Sequence, residues 1–214
     1  MNEKCTYGEG IDVLGYLIEV IAGMPLNEFL RTRIFEPLEM NDTWFYLPRE
    51  KIGRLVSLQK KEEGNWIKYP VTFYDPDFPV RGAKAYFSGG AGLVGTAEDY
   101  AKFLQMYLNK GELNGVRLLS RTTVDFIMTN QVGDLRGEYG PLGLAFALVD
   151  QRTHDLGGKG SAGTFEWGGY FNSGYFTDPK EQLIGIIMKQ TQGDWDISDP
   201  TLKFRQLVYQ AIDD

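Results

Sequence analysis

The chain has 214 residues, of which 43% are hydrophobic and 24% are charged, proportions that suit one soluble globular domain. Its formal net charge of −7 disfavours nucleic acid and anionic membranes as partners, because both are bound through clustered cations. With Cys5 as the one cysteine, the sequence excludes an internal disulfide and a cysteine-based zinc site.

The beginning of the chain is predicted to be helical. Apolar residues from Ile11 to Ile21 recur at helical spacing, and Gly23 provides a C-terminal stop. Pro25 can open a second helix whose apolar face extends to Ile34.

Residues 1–4 lack the basic-then-apolar pattern of a signal peptide, and no apolar run approaches the ~20 residues that cross a bilayer. Together with the absence of a disulfide, this favours a cytoplasmic location and no membrane partner.

Residues 55–59 and 66–69 flank a polar stretch and are predicted to form a hairpin. Residues 70–95 contain several prolines and glycines and read as a long ordered loop, a kind of segment that is often functional. Its aromatic residues are interpreted as loop packing in preference to a ligand-binding box; they are Phe73, Tyr74, Phe78, Tyr86 and Phe87. Thr96 then caps a helix, and Ser120 caps a shorter one that extends to about Asn130.

The last third of the chain changes to a strand-like period. Strands are predicted at 142–149, 164–170, 174–177 and 183–189, with a turn at 178–181 and a final helix after Asp199 and Pro200. We therefore expect an α+β fold in one domain, 1–214, with a mainly helical region and long loop at 1–135. Residues 136–214 are expected to form an antiparallel sheet and a C-terminal helix.

Four stretches, in this order, resemble the signatures of the class C β-lactamase, penicillin-binding-protein and esterase family. They read YGE at 7–9 with IDVLG at 11–15; GMPL at 23–26 with IFEPLEMNDTWF at 34–45; GGAGLVGTAEDY at 89–100; and GTFEWGG at 163–169 with DP at 178–179. The third element has the Trp-Gly-Gly form of the esterase-like members.

The resemblance implies a β-lactamase/transpeptidase-like fold, an antiparallel sheet flanked by helices, and acyl transfer through a serine ester. It places Tyr7 in the catalytic position, where a phenol moves the proton of the serine hydroxyl. Substrate and oxyanion would be lined by the strand residues Trp167, Gly168, Gly169 and Tyr170, with the backbone N–H of Tyr170 as the oxyanion donor. No metal and no cofactor is implied.

The family's Ser-x-x-Lys, which supplies the nucleophile, precedes the tyrosine motif, but only six residues precede Tyr7 here. The one match to that spacing, Ser57-Leu58-Gln59-Lys60, is interpreted as chance because it falls after the tyrosine motif in a strand-like stretch. The domain is therefore expected to be incomplete, without its N-terminal strands and nucleophile helix. It would be a fragment, one half of a split enzyme, or a natural truncated protein.

Each candidate also has a simpler interpretation. Tyr7 could be a packed aromatic, Trp167 could be sheet core, and Glu9 could be a solvated residue of the first helical turn. If Glu9 faces the site, its charge opposes substrates that carry a carboxylate, and Trp167 replaces a cation of many relatives, so neutral esters are favoured over β-lactams. His154, the only histidine, is expected to be a surface residue, which argues against a Ser-His-Asp triad or a histidine metal site.

Two functions follow. In the first, the chain supplies the tyrosine motif and the Trp-Gly-Gly strand of a serine hydrolase and is inactive alone; its substrate, once completed, is a small ester, amide or peptide-like molecule. In the second, it is a non-catalytic homologue that self-associates or binds a peptide. Since the absent part would leave apolar surface and a strand edge bare, a homo-oligomer or pairing with a missing N-terminal segment is expected.

Overall fold

The computed structural model describes residues 5–157, 159–192 and 200–213. The predictions that rest on residues 1–4 and on Asp199 lie outside these ranges.

The two N-terminal helices form as predicted. Helix α1 spans Gly10–Ala22 and ends at Gly23, whose φ of 65° is in the left-handed region that a helix C-terminus needs. Helix α2 spans Leu26–Leu30 and continues into a π-helical turn at Arg31–Phe35. Among the described residues no single helix is both long and apolar enough to cross a membrane, and α1 and α2 qualify only as a pair bent by 81°.

The middle of the chain contains the predicted hairpin, displaced toward its turn. After a 3-10 helix at Arg49–Arg54, strand β1 spans Gln59–Glu62 and strand β2 spans Asn65–Lys68. The connecting Glu63 and Gly64 both have positive φ, the geometry of a two-residue hairpin turn. Strand β1 of this exposed hairpin is built mainly from polar residues that the sequence pattern assigns to the turn, whereas Trp66 and Ile67 of β2 lie in a predicted strand. Within the predicted long loop, a short helix α3 occupies Phe78–Arg81.

Both predicted caps are confirmed. The Thr96 side chain accepts a hydrogen bond at the start of helix α4, Ala97–Leu108, and Ser120 does the same for α5, Arg121–Ile127. A small hairpin of β3, Glu112–Leu113, and β4, Val116–Arg117, lies between them. Helix α5 ends before Asn130 because that side chain closes a turn with Val132 and Gly133 instead.

The four-stranded sheet near the C-terminal end of the chain is antiparallel, with the order β5-β6-β7-β8. Its strands are β5 (Ala147–Leu148), β6 (Phe165–Gly168), β7 (Gly174–Asp178) and β8 (Leu183–Ile187), with helix α6 (Gln151–Asp155) after β5. Strand β9 (Thr191–Gln192) pairs in parallel with β1 and so belongs to a second sheet, β2-β1-β9. The last described helix is α7 (Pro200–Gln210).

The predicted strand at 142–149 is mostly wrong. Leu142 pairs back onto Ala147, and Gly143 N–H donates to the Phe146 carbonyl, so the chain folds over itself. At Gly143 an added Cβ would lie 2.3 Å from the Ile127 carbonyl oxygen, a contact that holds this turn against α5 and leaves two residues for β5.

Helix α4 covers one face of the sheet and forms the core with it. The buried members include Leu38, Leu104, Tyr107, Val124, Phe146 and Phe165. In the first turn of α4, Asp99 accepts hydrogen bonds from the Asp42 backbone N–H at 2.7 Å and from the Thr43 hydroxyl at 2.9 Å. Two of the four signature stretches are therefore joined by one buried carboxylate.

Helix α7 docks on the sheet through two polar contacts. Asp178, fully buried, accepts hydrogen bonds from the Ser161 N–H at 2.9 Å and from the Tyr209 hydroxyl at 2.8 Å. Arg205 pairs with Glu166 and lies over the ring of Phe176 at 4.6 Å. Burial acts to raise the pKa of Asp178, but these donors prevail and hold it below its ordinary value.

Candidate active site

Tyr7 and Trp167 meet, although they come from the two ends of the chain. Tyr7 precedes α1 and Trp167 lies on β6, and their ring centroids are 5.9 Å apart at an interplanar angle of 35°. Trp167 is half-buried, whereas the Tyr7 side chain is 80% exposed. A packed core aromatic would be covered, so the phenol of Tyr7 is available to a ligand.

Glu9 is the N-terminal cap residue of α1. Its backbone carbonyl accepts hydrogen bonds from the N–H groups of Asp12 and Val13, and its side chain makes no capping contact. The carboxylate is exposed, two residues from Tyr7, where it is favoured by the helix dipole and repels anions.

The glycines after Trp167 keep the strand end open. Gly168 closes the pairing with Gly174 on β7, and the Gly169 N–H donates to the Ser173 carbonyl. A Cβ at Gly169 would meet only the Ser173 Cβ, at an ordinary 3.7 Å, and its φ is outside the left-handed region. Neither packing nor backbone conformation therefore demands glycine at 169, and its remaining effect is to leave room above the strand.

Tyr170 combines a candidate oxyanion donor with a packed ring. Its backbone N–H donates to no other described residue, and its hydroxyl accepts a hydrogen bond from Gln192. The ring stacks on Tyr74, with centroids 5.7 Å apart and planes within 11°.

Asp12 fastens the loop after α3 to helix α1. Its carboxylate accepts hydrogen bonds from the Ser88 hydroxyl at 2.6 Å, the Tyr86 hydroxyl at 2.8 Å and the Gly90 N–H at 3.4 Å. The Ser88 hydroxyl does most to lower the pKa of Asp12, against the opposing effect of burial, with help from Tyr86 and Gly90. An added Cβ on Gly89 would lie 2.4 Å from the Ile11 carbonyl oxygen, so loop and helix are in backbone contact.

The sequence reasoning did not assign these Asp12 contacts, although Asp12 lies in a motif that it singled out. The available signal was a carboxylate in the first turn of a helix, together with a glycine-rich loop whose N–H groups need acceptors. The aromatic loop residues divide into two groups. Phe78 and Phe87 pack on Tyr46, whose hydroxyl donates to the Tyr86 carbonyl, whereas Phe73 and Tyr74 contact Tyr170.

Ser57 is exposed and precedes β1, outside any helix. It lines a surface recess with Leu55, Lys68 and Val80, and neither Tyr7 nor Trp167 belongs to that recess. His154 is exposed on α6, with its Nδ1 2.8 Å from the Gly160 carbonyl oxygen. In the described ranges, no group of three or more His, Cys, Asp or Glu side chains is placed to hold a metal ion.

The chain is similar in sequence to a known protein family and to several curated relatives. The family model described as Beta-lactamase matches residues 5–207. Rv1367c of Mycobacterium tuberculosis is 28% identical over 201 residues, with 88% of this chain and 49% of that protein covered. The lovastatin esterase of Penicillium rubens is 30% identical over 228 residues, with 95% of this chain and 55% of that protein covered.

The fold is shared with solved structures. EstCE1, described as a hydrolase with promiscuous acyltransferase activity, superposes with a TM-score of 0.82 at 24% identity, over 97% of this chain and 56% of that one. The chain spans about half the length of the curated relatives it matches.

Proposed function

The chain belongs to the beta-lactamase family, and on that premise we propose that it supplies part of a serine hydrolase site that transfers acyl groups from carboxylic esters. In this proposal Tyr7 moves protons, and Trp167 to Tyr170 line the ester. The serine nucleophile comes from a segment that the 214 residues do not encode.

The observation that supports this proposal is the contact between Tyr7 and Trp167. The two motifs come from opposite ends of the sequence, yet their rings are 5.9 Å apart, and the Tyr7 phenol remains exposed beside them. Two of the groups that acyl transfer needs are thus adjacent: a proton carrier, and a segment at the end of β6 whose Tyr170 N–H donates to no other described residue.

The proposed reaction proceeds in two steps, acylation of the serine and transfer of the acyl group. The serine oxygen attacks the ester carbonyl carbon, and its proton passes through the Tyr7 hydroxyl to the departing alcohol oxygen. The Tyr170 N–H stabilises the tetrahedral oxyanion, a donor worth ~3–4 kcal/mol in other enzymes. Water, or another alcohol, then attacks the acyl-serine ester, releases the acid or a new ester, and returns the proton to the serine.

Charge supports neutral esters as substrates. Glu9 presents an exposed carboxylate two residues from Tyr7. The strand residue in contact with Tyr7 is the uncharged Trp167, so it offers no positive charge to an anionic substrate. A substrate carboxylate placed beside Tyr7 would therefore be repelled by Glu9. One relative at 30% identity is named as an esterase, which agrees with this substrate class.

The missing nucleophile is tested with a fluorophosphonate probe on the isolated chain. We expect no stoichiometric labelling, because no Ser-x-x-Lys lies on a helix among the described residues. Labelling that Ser57→Ala abolishes would identify Ser57 as the nucleophile and overturn this part of the proposal.

The role of Tyr7 is tested in the completed protein. Adding a separately made polypeptide that carries the Ser-x-x-Lys helix should restore hydrolysis of a neutral ester, and Tyr7→Phe should lower kcat by about 10²–10⁴-fold, the usual contribution of a proton-transfer group. Tyr139→Phe, at another exposed tyrosine, is the control. Equal activity of the two variants would contradict the role of Tyr7.

A second candidate, a non-catalytic homologue that self-associates or binds a peptide, is favoured by one observation. Helix α1 leaves large apolar side chains exposed along its whole length, among them Val13, Leu17 and Ile21. Restored hydrolysis in the completed protein would count against this candidate. Association without any restored activity would favour it.

A further inference from the structure

Five aromatic rings form a layered cluster beside the candidate site. The members of this ring cluster are Tyr69, Phe73, Tyr74, Tyr170 and Phe171. Tyr69 is buried at its base and contacts Phe171 edge-on at 5.2 Å. Phe171 in turn contacts Tyr74 at 5.4 Å and Tyr170 at 5.1 Å.

Phe73 is the outermost ring of the cluster. It contacts Tyr74 at 5.2 Å and Tyr170 at 5.9 Å, both edge-on, yet it remains 80% exposed. A phenylalanine that buries so little of its surface contributes little to folding. Its ring is nevertheless held by two neighbours that stand on a buried base, so its position is set before any ligand arrives.

The backbone around Phe73 is also held. The Thr72 N–H donates to the Tyr74 carbonyl at 2.9 Å, and the Thr72 hydroxyl bonds both the Tyr69 hydroxyl and the Tyr74 N–H. The loop therefore presents Phe73 on a closed hydrogen-bonded turn, which lowers the entropy lost when a ligand binds.

The ring cluster is connected to the site through Tyr170. The backbone N–H of Tyr170 is the candidate oxyanion donor, and the side chain of the same residue stacks on Tyr74. Burial raises the pKa of Tyr74, and the charges of Asp12 and Tyr7 act in the same direction. Tyr170 therefore belongs both to the candidate oxyanion position and to the ring cluster.

We propose that the ring cluster is a substrate subsite that selects esters bearing an aryl group. Aromatic rings attract one another edge-on and in offset stacks, and the cluster leaves the exposed Phe73 ring available for such a contact next to the acyl-transfer position. The proposal rests on the proposed function for the reaction, but its recognition step needs only residues of this chain.

The test measures binding by the isolated chain, so it does not depend on a nucleophile. Two uncleavable amides are compared by isothermal titration calorimetry: N-methyl-2-naphthylacetamide and N-methylhexanamide, which lacks the ring. We expect the naphthyl probe to bind about tenfold more tightly, and Phe73→Ala to remove about that factor, the size of one good ring contact. Phe126→Ala, at a phenylalanine of α5 that is 58% exposed, is the matched control.

The outcomes separate this inference from the proposed function. Equal affinity for both amides, no binding of the naphthyl probe, or equal effects of the two alanine variants would overturn the aryl subsite. Circular dichroism of both variants establishes that they fold. Selective binding of the naphthyl probe, with no hydrolysis in the completed protein, would uphold the subsite and contradict the esterase proposal alone.

Discussion

Gly169 lies one residue beyond β6, and an alanine there would meet only the Ser173 Cβ at 3.7 Å. Because its φ is outside the left-handed region, Gly169→Ala should leave stability unchanged or raise it by up to about 1 kcal/mol, since alanine restricts the unfolded chain. In the completed enzyme the methyl group would displace the ester from the strand, so kcat/KM should fall by about 10²-fold. Thermal unfolding and ester hydrolysis measure the two effects. A loss of stability with unchanged activity would show that the glycine serves packing.

Asp12 makes stability depend on pH. Its hydrogen bonds, chiefly from Ser88, lower its pKa in the folded state, so the stabilisation is complete above the unfolded value of about 4 and is lost as pH falls through the folded value. Asp12→Asn should cost about 1 kcal/mol at neutral pH and progressively less below about pH 4.

Melting temperatures of the wild type and Asp12→Asn, compared across that pH range, test this sign. Asp134→Asn, at an exposed carboxylate, is the control and should show little difference at any pH. A wild-type advantage that stays constant down to pH 3 would mean that the charge of Asp12 does not fasten the loop.

For individual residues, the sequence identifies site candidates that lie in a recognisable motif. It does not reveal contacts between residues that are far apart in the chain. Tyr7 and Trp167 were singled out by resemblance, and the structure brings them together. Their catalytic roles stay predictions. The partners of Asp12 could not be found because Tyr86 and Ser88 lie in a loop whose path depends on the Gly89 contact with α1.

Among the elements, helix α7 owes part of its docking to the buried carboxylate of Asp178. Tyr209→Phe removes a donor from Asp178 and leaves the Ser161 N–H and the Lys180 and Glu181 N–H groups in place. Since a hydrogen bond to a charged group contributes about 1.5–3 kcal/mol, we expect a loss of that size in the free energy of unfolding.

Urea denaturation measures that loss, and Tyr139→Phe, at a tyrosine that is largely exposed, should change stability by less than about 0.5 kcal/mol. If both tyrosine variants unfold at the same urea concentration, the contact between Tyr209 and Asp178 does not stabilise the docking of α7.

Helices and strands are predicted well where their own sequence determines them, and poorly where a contact with another element does. Helices α1 and α4, and strands β7 and β8, have regular apolar spacing and clear ends, and all four were found. Strand 142–149 was mostly wrong because the Gly143 contact with α5 folds the chain back. The hairpin of β1 and β2 was displaced because an exposed ladder needs no apolar alternation.

For the molecule as a whole, the least favourable feature is the apolar surface that helix α1 exposes to water. Of its residues only Gly15 is buried, and large apolar side chains are exposed over a wide face of the helix, including Val13, Tyr16 and Val20. Such a face is normally covered by other protein, because each uncovered side chain forgoes about 25 cal/mol per Å² of apolar surface.

We therefore expect the isolated chain to self-associate, with a molar mass that rises with concentration in size-exclusion chromatography coupled to light scattering. The double variant Val20→Lys and Ile21→Lys should shift the chain toward monomer, and cations in the last turn of α1 suit the helix dipole, so the helix itself should persist. The matched control, Val56→Lys with Val71→Lys, adds the same charge at exposed valines outside α1 and should leave association unchanged. If the wild-type chain remains monomeric at all concentrations, the apolar surface of α1 is not an association surface between copies. If both double variants dissolve the assembly equally, net charge rather than α1 governs association.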